Sequence, residues 1–248
     1  MRRVRFRDPA GAVRHGEWVD SSDGDARVRF AETEYRREEV ELLAPTEPSK
    51  VVCVGRNYAD HAAEHDADVP DRPLLFLKPP NAVAGDGDVV TLPEGKDRVE
   101  WEAELGVVIG EQCRHVDADD AMDVVDGFTC VNDVSNRDDQ RRESQWVRGK
   151  AFDGAAPVGP VVADPDRVPA DAAVQLRVNG ELKQDSSRDR MVFDVPTLIA
   201  EITQYMTLEP GDVVATGTPE GVGPLSDGDR VAVTVEGVGT LEHTVRTP

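Results

Sequence analysis

Residues 99–110, Val-Glu-Trp-Glu-Ala-Glu-Leu-Gly-Val-Val-Ile-Gly, constrain this chain more than any other stretch. Glu100, Glu102 and Glu104 recur at every second residue, and side chains at positions i and i+2 of a β-strand point to the same face. Neighbouring carboxylates on that face would lie about 7 Å apart. An apolar run follows, so we expect a strand that is buried on both faces beyond its carboxylate end. Because such carboxylates repel one another, we also expect a cation between them.

Length and charge narrow the class of protein. The chain has 248 residues, of which 39% are apolar, enough for one large domain with a small appendage. Its net charge of −21 argues against nucleic acid and anionic membranes as partners. Only five of its 28 basic residues are lysines, a balance typical of proteins from salt-adapted (halophilic) cells. Since no signal-peptide pattern or membrane-length apolar run is present, we expect a soluble, cytoplasmic protein.

The cysteines do not form a recognisable pattern. Cys53, Cys113 and Cys130 are too few and too scattered for a disulfide framework or a CxxC metal site. Because cysteine is among the most frequently buried residues, we predict that all three are small buried hydrophobic side chains.

Local patterns predict more strands than helices. Residues 1–48 contain short strand patterns separated by turns at 8–11 and 21–24, and predict a small N-terminal β-rich domain. In residues 49–248, Asn179-Gly180 indicates a hairpin, 195–206 an amphipathic helix, and Asp117 could cap a helix through Val125. Short turns join most elements, which favours a β-dominated α+β fold over a doubly wound sheet.

Asp133 adds a third carboxylate at the end of another predicted strand. Three hard oxygen ligands without a soft ligand nearby suit Mg²⁺, Mn²⁺ or Ca²⁺ rather than zinc. In so acidic a chain a solvated acidic face is the ordinary interpretation of Glu-x-Glu. The position before an apolar run, with no basic residue beside the glutamates, favours a metal site. An EF-hand loop starting at Asp133 is excluded because Asp138 and Ser144 replace the required Gly and Glu.

The residues after Asp133 predict a short helix. Ser135 could cap it, and Arg137 and Gln140 follow Asp133 at +4 and +7, a spacing that places them on one helical side. An exposed capped turn is the alternative interpretation.

Five motifs in consistent order resemble those of the fumarylacetoacetate hydrolase family. They are Gly-Arg-Asn-Tyr-Ala-Asp-His (55–61), Glu-Ala-Glu-Leu-Gly (102–106), Asn-Asp-Val-Ser-Asn-Arg-Asp (132–138), Gly-Lys-Ala-Phe-Asp (149–153) and Gly-Thr-Pro-Glu-Gly-Val-Gly (217–223). The resemblance covers about four fifths of the chain. It implies a mostly β fold of layered, rolled sheets with a few short helices, a homodimer, bound Mg²⁺ or Mn²⁺, and action on 2-oxo acids or β-dicarbonyl acids.

The same resemblance assigns site residues by matching position. The metal ligands would be Glu102, Glu104 and Asp133. The substrate-orienting residues would be Arg137, Gln140 and Thr218. The catalytic residues would be Lys150 and a dyad of His61 and Glu64. Glu100 lies outside the matched motif and would be only a neighbour. A phosphate-loop interpretation of the turn at 217–223 fails, because no Gly-Lys-Ser/Thr follows.

The predicted reaction is hydrolysis of a C–C bond in acylpyruvate-like (2,4-dioxo acid) substrates. In family members that catalyse it, a histidine oriented by a glutamate activates water, and Lys150 would stabilise or protonate the resulting enolate. Isomerisation of 2-hydroxydienoates, decarboxylation of oxaloacetate and dehydration of 2-keto-3-deoxy sugar acids stay open as alternatives within the family. A non-catalytic divalent-cation-binding protein is the alternative from another class.

A zinc-peptidase hypothesis competes for the dyad. Residues 61–65, His-Ala-Ala-Glu-His, fit the H-x-x-E-H motif. That motif needs two histidines facing Zn²⁺ from a firm helix, whereas this helical pattern is short and ends before Pro70. We therefore favour the dyad.

Replacing His65 with Ala separates these two hypotheses. We expect unchanged turnover of 2-oxo acids in steady-state assays, because the dyad uses only His61 and Glu64. Loss of turnover in H65A would favour the zinc site.

Overall fold

A computed structural model describes residues 1–20, 26–64 and 68–248. The strands in these ranges are β1 (Arg2–Arg7), β2 (Val13–Asp20), β3 (Ala26–Phe30), β4 (Thr33–Arg36), β5 (Glu41–Leu42), β6 (Val51–Gly55), β7 (Leu74–Lys78), β8 (Val83–Ala84), β9 (Val89–Thr91), β10 (Val99–Glu100), β11 (Ala103–Ile109), β12 (Val125–Asn132), β13 (Ser135–Asn136), β14 (Ala156–Ala163), β15 (Ala173–Val178), β16 (Glu181–Ser187), β17 (Val213–Ala215), β18 (Arg230–Val235) and β19 (Gly239–Arg246). The α-helices are α1 (Ala59–Glu64), α2 (Arg137–Gln140), α3 (Val147–Lys150) and α4 (Val195–Tyr205). Short 3₁₀ helices cover Arg37–Glu39, Pro80–Ala82, Ala118–Val124, Pro165–Arg167 and Arg188–Arg190.

The strands form two large sheets and one small one. The first has the order β4-β3-β2-β1-β14-β12-β11-β17-β6-β7, with β5 on β1 and β8 on β14. The second has the order β16-β15-β18-β19-β9, and β10 pairs with β13 in the small sheet. β15, β18 and β19 contact the central strands β11, β12 and β14, so the two large sheets are layered. The β-dominated α+β fold is confirmed.

β11 lies in the centre of the first sheet and is buried along its whole length. Leu105 and Val107 face the main core, which also contains Leu176 and Val233 of the second sheet. Val108 points to a separate apolar cluster on the opposite face. The predicted burial of both faces is therefore confirmed for β11, whose first residues lie at the edge of a dry interior.

The N-terminal strands continue the first sheet. β1 pairs antiparallel with β14 through Arg2↔Ala163 and Arg3↔Val162, and with β2 and β5. The boundary between an N-terminal domain and a main domain at residue 48 stays a prediction. The predicted turn at 21–24 lies outside the described residues.

Two local predictions are confirmed. The hairpin turns at Asn179-Gly180, both at positive φ as a type I′ turn requires. The amphipathic helix is α4, and Asp194 caps it by accepting a hydrogen bond from Thr197 N.

Three others are wrong in detail. The strand predicted for 99–110 is interrupted between β10 and β11, because Trp101 and Glu102 belong to neither strand. The helix after Asp117 is 3₁₀, and its N-cap side chain makes no capping bond. Asn136 rather than Ser135 caps α2, since the Ser135 hydroxyl donates instead to Asp133 O.

The cysteines and the helix lengths also bear on the predictions. Cys53, Cys113 and Cys130 are free and buried, as predicted. Within the described ranges, no helix has both the length and the apolar character that crossing a bilayer requires.

Asp212 ties β17 to the start of β6 and has no exposed surface. Its Oδ1 accepts hydrogen bonds from the backbone N–H groups of Ser49 (2.9 Å) and Lys50 (3.1 Å), and its Oδ2 accepts one from Glu209 N (2.9 Å). The Lys50 ammonium forms an ion pair with Oδ2. Burial raises the pKa of Asp212, but the Lys50 and backbone donors outweigh burial and leave that pKa below its ordinary value.

We expect D212N to lower the free energy of unfolding by about 1–3 kcal/mol at neutral pH, because an amide NH₂ would face the donors at Oδ2. A carboxyl whose pKa is depressed by folding stabilises the protein above the unfolded pKa of about 3.9 and loses that contribution as pH falls through the folded pKa. The difference between wild type and variant in urea unfolding should therefore shrink in acid. Asp229, which accepts from Ser226 N in a more exposed turn, provides the control D229N with a smaller loss. Equal losses in the two variants would contradict the prediction.

Candidate active site

Side-chain amides hold the chain where the strand breaks. Glu102 N donates to Asn132 Oδ1 (2.8 Å), and Ala103 N donates to Gln184 Oε1 (2.9 Å). The Trp101 N–H is taken by Gly223 O (3.2 Å). Because these bonds replace a partner strand, the backbone polar groups at the break stay satisfied inside the protein.

The break brings the three predicted metal ligands together. Glu102, Glu104 and Asp133 each offer one carboxylate oxygen, and these oxygens lie within 4.8 Å of one another. The three side chains are 4%, 1% and 1% exposed, so the solvated-face interpretation does not apply to them.

Two lysines lie against this triad. Lys150 Nζ is 2.8 Å from Glu102 Oε2 and 2.8 Å from Asp133 Oδ2, and donates to Ser135 Oγ at 2.6 Å. Lys78 Nζ is 2.6 Å from Asp133 Oδ1. The glutamates have no basic residue beside them in the sequence, but these two lysines from other parts of the chain lie beside the triad in three dimensions. Repulsion among them does not by itself require a metal ion.

Glu104 is the carboxylate that lacks a counter-charge. Its Oε2 accepts from Gly217 N at 2.9 Å, and no lysine or arginine among the described residues pairs with it. Burial, and then the Asp133 and Glu102 carboxylates, raise the pKa of Glu104 well above its ordinary value. Burial also acts to raise the pKa of Glu102, but the charges of Arg137 and Lys150 hold it well below its usual range. Positive charge is thus missing on the Glu104 side of the triad.

The triad fits a divalent cation. All its donors are carboxylate oxygens, the ligands that Mg²⁺ and Ca²⁺ prefer. Asp133 Oδ1 contacts Lys78 without hydrogen-bond geometry and is a buried oxygen with no hydrogen-bond donor among the described residues. A carboxylate has about four lone-pair sites, so Glu102 and Asp133 can bind an ion while they keep their Lys150 contacts.

Arg137 connects the triad to a fourth carboxylate. Its guanidinium is 2.6 Å from Glu100 Oε2, forms an ion pair with Glu102, and donates to Gln140 Oε1 at 2.7 Å. Glu100 is fully buried and also pairs with Arg98. Glu100 lies outside the carboxylate triad, as predicted, but it also binds Arg137, which in turn binds Glu102 and Gln140.

The predicted dyad adjoins the glycine-rich turn. His61 Nδ1 is 3.4 Å from Glu64 Oε2, and both Glu64 carboxylate oxygens are 3.3 Å from Gly221 N. His61 is 6% exposed. His65 lies outside the described residues, so the structure does not test the zinc hypothesis.

A glycine is required at the start of that turn. Gly217 has φ +96°, and a Cβ there would lie 2.7 Å from Asn57 Cβ. The close approach joins the turn that carries Thr218 to the motif that carries His61.

One cavity of about 320 Å³ collects these groups. Its lining includes eight of the nine predicted site residues: His61, Glu102, Glu104, Asp133, Arg137, Gln140, Lys150 and Thr218. Glu64 contacts it through His61. Sequence reasoning missed Lys78, Glu100 and Gln184. The rarity of lysine was a usable signal for Lys78, and the alternation with Glu102 was one for Glu100. Gln184 carries no local signal.

Comparisons with known proteins show which family this chain is similar to. A family model described as fumarylacetoacetate (FAA) hydrolase C-terminal matches residues 50–246. The chain is 45% identical over 221 residues to the mitochondrial oxaloacetate tautomerase FAHD2B of Bos taurus, covering 84% of this chain and 70% of that protein. The structure of 5-carboxymethyl-2-hydroxymuconate delta-isomerase from Mycobacterium smegmatis matches with a TM-score of 0.91 and 41% identity, over 100% of this chain and 99% of that one. Fumarylpyruvate hydrolase from Pseudomonas aeruginosa, solved with Mn²⁺ and pyruvate, matches with a TM-score of 0.76 and 32% identity, over 88% and 93%.

We expect E104Q to weaken Mn²⁺ binding by about 100-fold or more, beyond the 10- to 100-fold typical of residues outside the ligand set. Titration calorimetry or the electron paramagnetic resonance signal of free Mn²⁺ measures it. E100Q is the matched control, because Glu100 is equally buried in the same stretch but pairs with Arg98 and Arg137. Similar Mn²⁺ affinity in E104Q and wild type would contradict the ligand assignment.

Proposed function

The chain belongs to the fumarylacetoacetate hydrolase family, and on this premise we propose that it is a divalent-metal-dependent enzyme that interconverts keto and enol forms, or double-bond isomers, of a 2-oxo acid. The observation that carries the proposal is one pocket in which a histidine and a buried lysine lie beside three carboxylates. Proton transfer next to a carbonyl needs a group that moves the proton and positive charge that stabilises the enolate oxygen. His61 and Lys150 meet these two needs.

Lys150 supplies fixed positive charge. Burial lowers the pKa of its ammonium, but Asp133 and Glu102 outweigh burial and raise that pKa above its ordinary value. The side chain is therefore protonated at neutral pH, and its contacts with Glu102, Asp133 and Ser135 hold Nζ in place. An ammonium fixed in advance stabilises a developing enolate oxygen without reorganisation.

His61 moves the proton. With Nδ1 on the Glu64 side, Nε2 is the nitrogen that would take a proton from the substrate carbon and return it. Thr218 and Gln140 line the same cavity and would orient the substrate carboxylate. A divalent ion on the triad would act as a Lewis acid toward the carboxylate and 2-oxo oxygens.

The charge of the pocket favours a dicarboxylate such as oxaloacetate. Arg56 and Arg141 line the cavity, and neither forms an ion pair with an acid among the described residues. A second carboxylate on the substrate would balance this surplus. The tautomerase and isomerase relatives, at 41–45% identity, support proton transfer as the reaction.

Hydrolysis of an acylpyruvate is the second candidate, and the dyad favours it. The contact of Glu64 with both His61 and Gly221 orients the ring as a base for water. Water would attack the distal carbonyl, the C3–C4 bond would break, and a carboxylic acid and the enolate of pyruvate would form. The enolate would then take a proton at C3. The relative solved with Mn²⁺ and pyruvate supports this candidate at lower identity.

We also propose other reactions and general properties of the protein. Decarboxylation and sugar-acid dehydration share the enolate and remain alternatives within the family. A homodimer, a cytoplasmic location and salt adaptation are likewise proposed, from the family resemblance and the composition.

The test compares two reactions in one panel with Mg²⁺ or Mn²⁺ in high KCl. Ketonisation of enol oxaloacetate, followed by absorbance, should be faster than cleavage of acylpyruvates or fumarylpyruvate. We expect H61Q to slow it by about 10²- to 10⁴-fold, the usual contribution of a general base, and K150M to slow it strongly as well. H15Q, on β2, is the control.

Three outcomes contradict or redirect the proposal. Cleavage without ketonisation would favour the hydrolase, and H61Q with full activity would remove the dyad from the mechanism. Silence of the wild type across the panel, with Mn²⁺ still bound, would favour the non-catalytic binding protein.

A further inference from the structure

Gln184 joins the two halves of the site from a strand that carries none of its other residues. It lies on β16, is 1% exposed, and contacts both the carboxylate strand and the glycine-rich turn. We propose that Gln184 is a positioning residue that leaves the Thr218 hydroxyl as a hydrogen-bond donor to an anionic oxygen of the substrate. The inference rests on the proposed function in one respect, namely that Thr218 faces the substrate carboxylate.

The orientation of the Gln184 amide is determined by its partners. Ala103 N can only donate, so the atom 2.9 Å from it must be the amide oxygen. The backbone oxygens of Pro219 (2.8 Å) and Glu220 (3.4 Å) can only accept, so the atom facing them must be the NH₂ group. These requirements agree, and the same NH₂ group therefore donates to Thr218 Oγ1 at 2.8 Å.

This donation determines the direction of the Thr218 hydroxyl. A threonine oxygen that accepts from an amide must send its own O–H elsewhere. Within the described part of the chain, no hydrogen bond has the Thr218 hydroxyl as donor. Thr216, two residues earlier, shows the contrast, because its hydroxyl donates to Leu105 O at 2.9 Å. The Thr218 side chain lines the cavity and is 3% exposed, so its proton is available to a ligand oxygen there.

The same amide also holds the backbone between two of the proposed metal ligands. Ala103 lies between Glu102 and Glu104, and its N–H has no strand partner at the break. The planar Gln184 amide therefore sets the distance between Thr218 Oγ1 and the backbone at Ala103, next to Glu102 and Glu104. Gln184 would thus determine how far Thr218 lies from the triad, and so which substrate length fits between them.

The test is a double-mutant cycle on the binding of oxalate, which resembles the carboxylate and 2-oxo oxygens of a 2-oxo acid. Titration calorimetry on the Mn²⁺-loaded protein gives Kd for wild type, Q184M, T218V and Q184M/T218V. We expect Kd to rise about 10-fold in T218V, as for loss of a hydrogen bond to a charged group, and several-fold in Q184M. In the T218V background, Q184M should add less than about twofold, because its effect passes through Thr218.

Further variants separate positioning from stability. T218S keeps the hydroxyl and should restore the response to Q184M. Q175M is the matched control, since Gln175 on β15 bonds to Asp185 away from the cavity. Mn²⁺ affinity is measured for each variant, so that the Kd values of oxalate are compared at full Mn²⁺ loading.

The outcomes distinguish this inference from the proposed function. Equal effects of Q184M with and without T218V would overturn the inference while Thr218 keeps its role. An unchanged Kd in T218V would overturn the assignment of Thr218 and the inference with it. If the coupled effects on oxalate appear but the wild type turns over no 2-oxo acid, the proposed reaction fails and the inference stands.

Discussion

Burial of charge is the constraint on which this site depends. Glu102, Glu104 and Asp133 lie in a dry region where unpaired carboxylates are very costly, so the fold must bring cations to them. Lys150 and Lys78 do so from different parts of the chain. Removing one partner of such a set leaves the other charge buried and unpaired, which costs more than the pair contributes. The network therefore specifies one arrangement of side chains, with a deficit of positive charge beside Glu104.

The break between β10 and β11 shows how a functional geometry replaces a regular one. In an unbroken strand the Glu102 and Ala103 N–H groups would bond to a neighbouring strand. Here Asn132 and Gln184 take them, so the backbone can turn without leaving buried donors unsatisfied. Asn132 is held in turn by a 2.8 Å contact with His243, a buried histidine whose pKa burial lowers to about 4. Neutral amides and a neutral ring thus support the carboxylates without adding charge.

The family resemblance and the pocket constrain different parts of the chemistry. Under the proposed function, the carboxylate triad and Lys150 would suit any reaction that passes through the enolate of a 2-oxo acid, whether tautomerisation, isomerisation or hydrolysis. On this proposal the reactions would differ in the group from which His61 takes a proton, a substrate carbon or a water. Under the proposed function, Arg56 and Arg141 at the cavity would act on a separate property, the charge at the far end of the substrate.

The sequence by itself determined the periodic features and the motif order. Alternation predicted that Glu102 and Glu104 lie together, and Asn179-Gly180 marked a hairpin because few residues tolerate positive φ. Only the tertiary structure decided which cations meet the carboxylates and where the strand breaks. Lys78 and Gln184 reach the site through register across several strands and through the direction of single hydrogen bonds. No local period encodes these, because they depend on residues far apart in the chain satisfying one another's buried polar groups.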